Sequence, residues 1–165
     1  MSLTTTVKCS ISGHYTKSVG GRSIVDDIPP TEDFLLASGT GPGAADIAFS
    51  DKRTLASNTS ENLDLTGTLT DSFGVVIAAV KVKAIEIHAD KTNTTNLTIG
   101  GAASNGFKGP FNDITDAIVL GPDDRFVISS AVGWTVTAGT GDLLKVANAT
   151  GASAGYRVKI IAASA

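Results

Sequence analysis

The sequence predicts an all-β fold, an antiparallel jelly-roll-like β-sandwich that carries an N-terminal arm. Three observations point there. Apolar residues alternate with period two through much of the chain, and no stretch shows a clean helical face. The apolar share is 42% with only 5% aromatics, so it is mostly Ala, Val, Ile and Leu, beside 18 Gly and abundant Thr. Branched side chains fill a pleated surface and Gly supplies turns. Gly-Gly, Asn-Gly, Gly-Pro and Gly-Thr-Gly punctuators then separate about nine to eleven short runs, the spacing of a sandwich or barrel. A chain of 165 residues buries one core without metal or disulfide staples.

Along the chain, Thr4–Ile11 comes first and alternates around Val7, Cys9 and Ile11 as a half-buried strand. Val19–Ile28 is weaker and stops at Pro29-Pro30, since neither proline donates to a ladder. Gly39–Gly43 reads as a flexible linker, which divides residues 1–43, an arm with the first strands, from a sandwich body at 44–165. In the body, Ile47–Phe49 and Lys52–Ala56 are expected to flank a tight turn, and 62–66 alternates cleanly.

Val75–Ala89 is the longest strand signal. Its apolar phase changes from Val80 and Val82 to Ile85 and Ile87 with no turn residue between, which predicts a β-bulge at Ala84-Ile85. Lys81 and Lys83 read as one solvated face of that strand. Further strands are expected at 96–99, 117–120, 125–129, 134–138, 143–146 and 156–161. In the last of these Tyr156, Val158 and Ile160 face one way, Arg157 and Lys159 the other. No fixed-period repeat is visible, which argues against a propeller or solenoid.

Composition excludes several function classes. The net charge is −3 and no basic run exceeds two residues, so the footprint of a nucleic-acid binder is missing. No apolar run reaches the roughly 18 residues of a membrane helix. Residues 1–4 lack the basic-then-apolar order of a signal peptide. The single cysteine, Cys9, permits no intrachain disulfide, fits a reducing compartment, and is expected as a small buried hydrophobe. The N-x-S/T triplets at Asn58, Asn93, Asn96 and Asn148 are read as chance in a Thr-rich chain.

A search for chemistry yields little. His14 and His88 stand in no catalytic motif, and His88 is expected to face solvent or a partner subunit. The carboxylate pairs Asp26-Asp27, Glu32-Asp33, Asp113 with Asp116, and Asp123-Asp124 lie in loop signatures, where such residues cap their own backbone. Asp113 and Asp116, within 112–116, are the candidate metal ligands, for calcium, because hard cations take loop oxygens. Gly39–Gly43 lacks the Lys-Ser/Thr of a phosphate loop, and Pro42 removes a donor. The outer strand faces are rich in Thr, Ser and Ala, which permits self-association without burying unpaired charge.

From residue 44 the chain resembles a family of small structural proteins of tailed bacteriophages and prophages. The resemblance is carried by Ala45–Ala56, Glu61–Leu65, Leu69–Gly74, Lys83–Ile85, Gly100–Ala103, Gly109–Phe111, Gly133-Trp134 with Val136, and above all Thr137–Asn148. It implies a virion component, assembled in the host cytoplasm, that is not an enzyme and brings no catalytic residues or cofactor. The first expectation is a capsid-bound decoration or head-fibre-base protein, a small homo-oligomer guessed as a trimer, whose partner is the major capsid protein or another virion protein. Neither nucleic acid nor membrane is expected as a partner. The arm is expected to make the attachment through Val19, Ile24, Val25, Phe34 and Leu35, which are apolar enough to need a surface. The alternative is a tail or receptor-binding, lectin-like module, which requires an exposed Trp134 or Tyr15 beside carboxylates or amides.

Overall fold

A computed structural model describes residues 2–165; Met1, the first residue of the expected arm, lies outside them. Among the described residues there are thirteen strands and no helix. The N-terminal five are β1 (Thr5–Val7), β2 (Gly13–Val19), β3 (Arg22–Ile28), β4 (Phe34–Ser38) and β5 (Ala44–Ala45). The body continues with β6 (Ile47–Leu55), β7 (Ser60–Asp64), β8 (Lys81–Ala89) and β9 (Leu97–Gly100). It ends with β10 (Ala117–Leu120), β11 (Arg125–Thr135), β12 (Leu143–Asn148) and β13 (Ala154–Ala163).

Two four-stranded sheets make the body, in the orders β11-β8-β13-β6 and β10-β9-β12-β7. All pairs within them are antiparallel. Strands β6 to β9 alternate between the sheets, β10 stays beside β9, and β11 to β13 alternate again. That is the strand order of an eight-stranded jelly roll. The period-two pattern dictates the packing. Tyr156, Val158 and Ile160 of β13 are fully buried while Arg157 and Lys159 are exposed, as the alternation predicts. Opposite them Leu63, Leu65, Leu97, Ile99, Leu144 and Val146 supply the facing layer of one continuous core.

Several boundaries differ from the sequence reading. Residues 47–55 form one strand without the expected turn, because every residue from Ile47 to Leu55 pairs with β13. The strand predicted from Val75 starts at Lys81. The run predicted at 125–129 and the first two residues of that predicted at 134–138 belong to one irregular strand, β11, which ends at Thr135. Only Thr5–Val7 of the first predicted run is strand; Ile11 is exposed, and so is Cys9, which does not join the core.

The bulge in β8 exists, one residue before its expected place. Val82 faces Ala162 and Ala84 faces Ile161, so Lys83 has no counterpart on β13. On the other side β11 goes from Ser129, opposite Ala84, to Trp134, opposite Val82, leaving residues 130–133 arched over Lys83. The extra residue flips the phase, so Val82 and Ile85 both point into the core.

Lys83 is therefore not on a solvated face: it is 1% exposed. Its Nζ donates to Val132 O at 2.8 Å, and to Gly41 O and Ala131 O at 3.2 Å. A buried ammonium costs several kcal/mol unless its donors are matched, and here three carbonyls meet three donors. Burial, then the Lys81 charge, holds its pKa below the ordinary lysine value. Gly133 makes the arch possible. Its φ is +84°, and a Cβ there would stand 2.8 Å from Lys83 Cδ.

The same lysine ties down the supposed linker. Besides Gly41 O on Lys83, Gly43 N donates to Ala131 O, Ala37 N to Gly43 O and Gly39 N to Ala45 O. β4 pairs with β1 antiparallel and with β5 in parallel, and Leu36 and Ala45 are buried. β1 lies over the outer face of the β11-β8-β13-β6 sheet, where a cavity of about 160 Å³ is lined by Val7, Ala84, Val127 and Ile161 among others. The run 39–43 is thus a hydrogen-bonded loop rather than a free hinge.

Substituting Lys83→Met keeps the stem and removes the donors: Ala131 O and Gly41 O keep their bonds from Gly43 N and Ala44 N, while Val132 O loses its side-chain donor. We expect a loss of about 2–3 kcal/mol in urea unfolding. The Gly43 amide should exchange about tenfold faster or more, since its acceptor lies in the freed arch.

Candidate functional site

β2 and β3 form a hairpin that pairs with no other strand among the described residues. Gly20 and Gly21 make its turn with φ of 56° and 77°, the two positive values that a two-residue turn matched to strand twist demands. Here the sequence predicts one run, Val19–Ile28, whereas Val19 ends β2 and the remainder holds β3. Every hairpin residue except Gly13 is exposed. The hairpin springs from the β1–β4 pair, whose base is braced by Lys8 Nζ to Asp33 Oδ2 at 2.9 Å.

The register divides its side chains. Tyr15 faces Asp26, Lys17 faces Ile24, Val19 faces Arg22 and Gly13 faces Ile28, so these share one side. Tyr15, Val19, Ile24 and Ile28 supply the apolar part of that side, each about half exposed or more, with Lys17, Arg22 and Asp26 set between them. The reverse side carries His14, Thr16, Ser18, Ser23, Val25 and Asp27, with His14 Nδ1 in contact with Asp27 Oδ1. Of the expected attachment residues, the structure brings Val19 and Ile24 together and adds Tyr15 and Ile28. Val25 points the other way. Phe34 sits half-buried in β4 opposite Val7, whereas Leu35 is 66% exposed. Tyr15 and Ile28 were legible in principle, because Gly20-Gly21 marks the turn that sets the register.

The other candidates resolve into structural work. Asp113 Oδ1 accepts from Thr115 N at 3.0 Å and Thr115 Oγ1 at 2.9 Å, and Asp116 Oδ2 accepts from Asp113 N at 2.9 Å. Those Thr115 hydrogen bonds hold the Asp113 carboxyl below the usual range. The two carboxylates cap their own loop, and among the described residues no group of three or more metal-ligating side chains gathers. His88, expected to face outward, is half-buried on the outer sheet face with Nε2 at 3.2 Å from Asp123 Oδ1. Of the four triplet asparagines, Asn93 and Asn148 are buried and donate to backbone carbonyls of Gly155 in β13 and of Leu55 and Ala56 at the end of β6. Trp134 packs half-buried against the core, while Tyr15 is 68% exposed.

Two charged arrangements were missed in the sequence. Register aligns Lys52, Arg157, His88 and Arg125 in one row across the outer face of the β11-β8-β13-β6 sheet. Asp90, Glu86 and Asp123 interleave with that row, pairing with Lys52, Arg125 and His88. The face is mixed in sign, unlike a phosphate-binding stripe.

At the opposite edge, Arg53 Nη1 donates to Glu61 Oε2 at 2.5 Å, joining β6 of one sheet to β7 of the other. Tyr156 OH donates to Glu61 Oε1 at 2.7 Å from inside the core. Arg53 Nε lies 3.2 Å from Asp51 Oδ2 without a well-directed hydrogen bond. This network closes the β6–β7 side of the sandwich. Burial, then the hydrogen bond to Glu61, pushes the Tyr156 hydroxyl far above its ordinary pKa.

No family model matches the chain, and no curated protein matches it. Among solved structures, a chain of the cyanophage Pam1 capsid asymmetric unit is similar at 17% identity with a TM-score of 0.30. The match covers 68% of this chain and 84% of that chain.

The Tyr156 environment carries a pH signature. Its folded pKa is raised above the unfolded value of 10.0, so the folded form keeps a proton that the unfolded form releases. Stability from this group is intact below pH 10 and falls by about 1.4 kcal/mol per pH unit above it. Tyr156→Phe should be less stable at neutral pH, having lost a hydrogen bond, yet lack that part of the alkaline slope. Urea unfolding between about pH 8 and roughly pH 11.5 checks both.

Proposed function

We propose that this chain is a structural protein of a tailed-phage virion, a small homo-oligomer that binds the assembled capsid and stabilises it, with the β2–β3 hairpin as its attachment element. The observation that carries the reading is the hairpin itself. A lone two-stranded hairpin is marginal in water, and this one holds Tyr15, Val19, Ile24 and Ile28 exposed together on one side. Such an element is completed by a surface supplied from outside. The family resemblance of residues 45–148 supports a virion shell as the source. A protein that binds the assembled lattice and not its free subunits stabilises the lattice by mass action.

The lectin-like alternative retains one supporting observation: Tyr15 is exposed opposite Asp26, the aromatic-beside-carboxylate pairing that a glycan site uses. The two readings separate experimentally. Ile24→Asp should weaken co-sedimentation with phage particles lacking this protein by at least about tenfold, since it places a charge in the buried face. Replacing residues 9–32 by an Asn-Gly turn should keep β1, β4 and the fold while abolishing binding. Undiminished binding by both variants would exclude the hairpin as the anchor. Retention on a host-polysaccharide column lost in Tyr15→Ala would favour the glycan reading.

A further inference from the structure

The two open sides of the sandwich are built differently. The β6–β7 side is sealed by the Arg53–Glu61 pair and carries Asp51 and Lys52 along an edge strand, the usual protection against strand addition. Among the described residues the β10–β11 side shows no such seal. No charged residue occurs in Ala117–Leu120 or in Phe126–Thr135. Phe111, Ile118, Phe126, Ile128 and Trp134 there are only partly buried, so the core reaches the surface along this side. The Phe111 and Phe126 rings stack at 6.4 Å, and Val119 is 59% exposed at the rim.

A second apolar feature stands at the opposite edge of the same sheet. The turn between β7 and β8 projects Phe73, 73% exposed, with Val75 and Val76, 59% and 49% exposed. Val75 and Val76 border Ile47, and Phe73 borders Ala48, which places the knob on β6. The knob is rigid. Asp71 Oδ1 accepts from Phe73 N and Val75 N, both at 2.9 Å, and Asp71 N donates to Val75 O at 2.8 Å. No charged residue occurs in 72–80.

We propose that the Phe73 knob of one copy packs onto the β10–β11 side of the next, a head-to-tail contact that closes into a ring. The occupant is a second copy because one chain carries both halves of the contact, an exposed apolar knob and an edge without charged strand residues, at opposite edges of one sheet, the arrangement of a heterologous interface. The area favours closure. The eleven-residue β11 runs roughly 30 Å and packed sheets stand about 10 Å apart, so the β10–β11 side offers on the order of 300 Å². A stable interface uses about 800 Å² per partner, and a closed ring brings each copy nearer to it by giving it two such contacts. This inference deepens the oligomeric part of the proposed function and is independent of what the hairpin binds.

The test uses the full chain and light scattering with size-exclusion chromatography. Wild type should run as a closed oligomer, and Phe73→Asp and Val119→Asp each as a folded monomer with unchanged circular dichroism. Phe73→Leu should still associate. A head-to-tail contact uses each surface once, so the two monomers should complement one another. The only tryptophan, Trp134, lies in the proposed face and reports it. Titrating Phe73→Asp with a Val119→Asp, Trp134→Phe double variant should shift its emission to the blue and give a one-to-one dimer. A monomeric wild type, a single variant of wild-type mass, or no complementation would overturn the proposal. Particle binding through the hairpin would stand or fall separately, by the Ile24→Asp measurement.

Discussion

Lys83 is the point on which the geometry of this fold turns. An ammonium withdrawn from water must spend all three of its donors, and the carbonyls that Lys83 reaches lie in the 130–133 arch and the 39–43 loop. Meeting them forces an unpaired residue into β8. That bulge re-phases the strand, so Val82 and Ile85 both enter the core. It also pulls β11 away from the ladder and fastens the loop that leads from β4 to the body. One side chain thereby sets the central strand, one edge strand and the base of the N-terminal segment.

The molecule divides into rigid and incomplete parts. The jelly roll, with β1 and β4 laid against it, is completed internally by its core. The β2–β3 hairpin is not, because two strands alone bury too little apolar surface to offset the entropy of ordering them. Its distance from the body is maintained by the β1–β4 pair beneath it. A projecting element of this kind suits a task in which the binding energy comes from outside the domain, as on an assembled shell.

The sandwich itself is lopsided in the same sense. Ion pairs and a buried tyrosine hydroxyl close one side, where Arg53 and Glu61 bridge the sheets. Half-buried aromatics are left showing at the other. In an edge strand, charge prevents pairing and its absence permits packing. The contrast between β6 and β11 is therefore a difference in what each edge admits, and the proposed contact between copies packs the knob beside β6 onto the permissive one.

The all-β class, most strand positions and the inward set of β13 were legible in the sequence, because side-chain direction in a strand depends on residue number alone. The need for a bulge in β8 was legible for the same reason: an uninterrupted strand cannot change phase without one. Its position was not, since that depended on where carbonyls from residues 41, 131 and 132 converge. Lys83 looked solvated for the same cause, as period two says nothing about a residue removed from the ladder. The apolar residues of the arm were visible, but their grouping into Tyr15, Val19, Ile24 and Ile28 required the register across Gly20-Gly21. The sealed and open sides of the sandwich join residues that stand far apart in the chain, such as Glu61 with Tyr156. Local sequence determines which face a side chain takes; only the pairing of distant strands decides which neighbour it meets there.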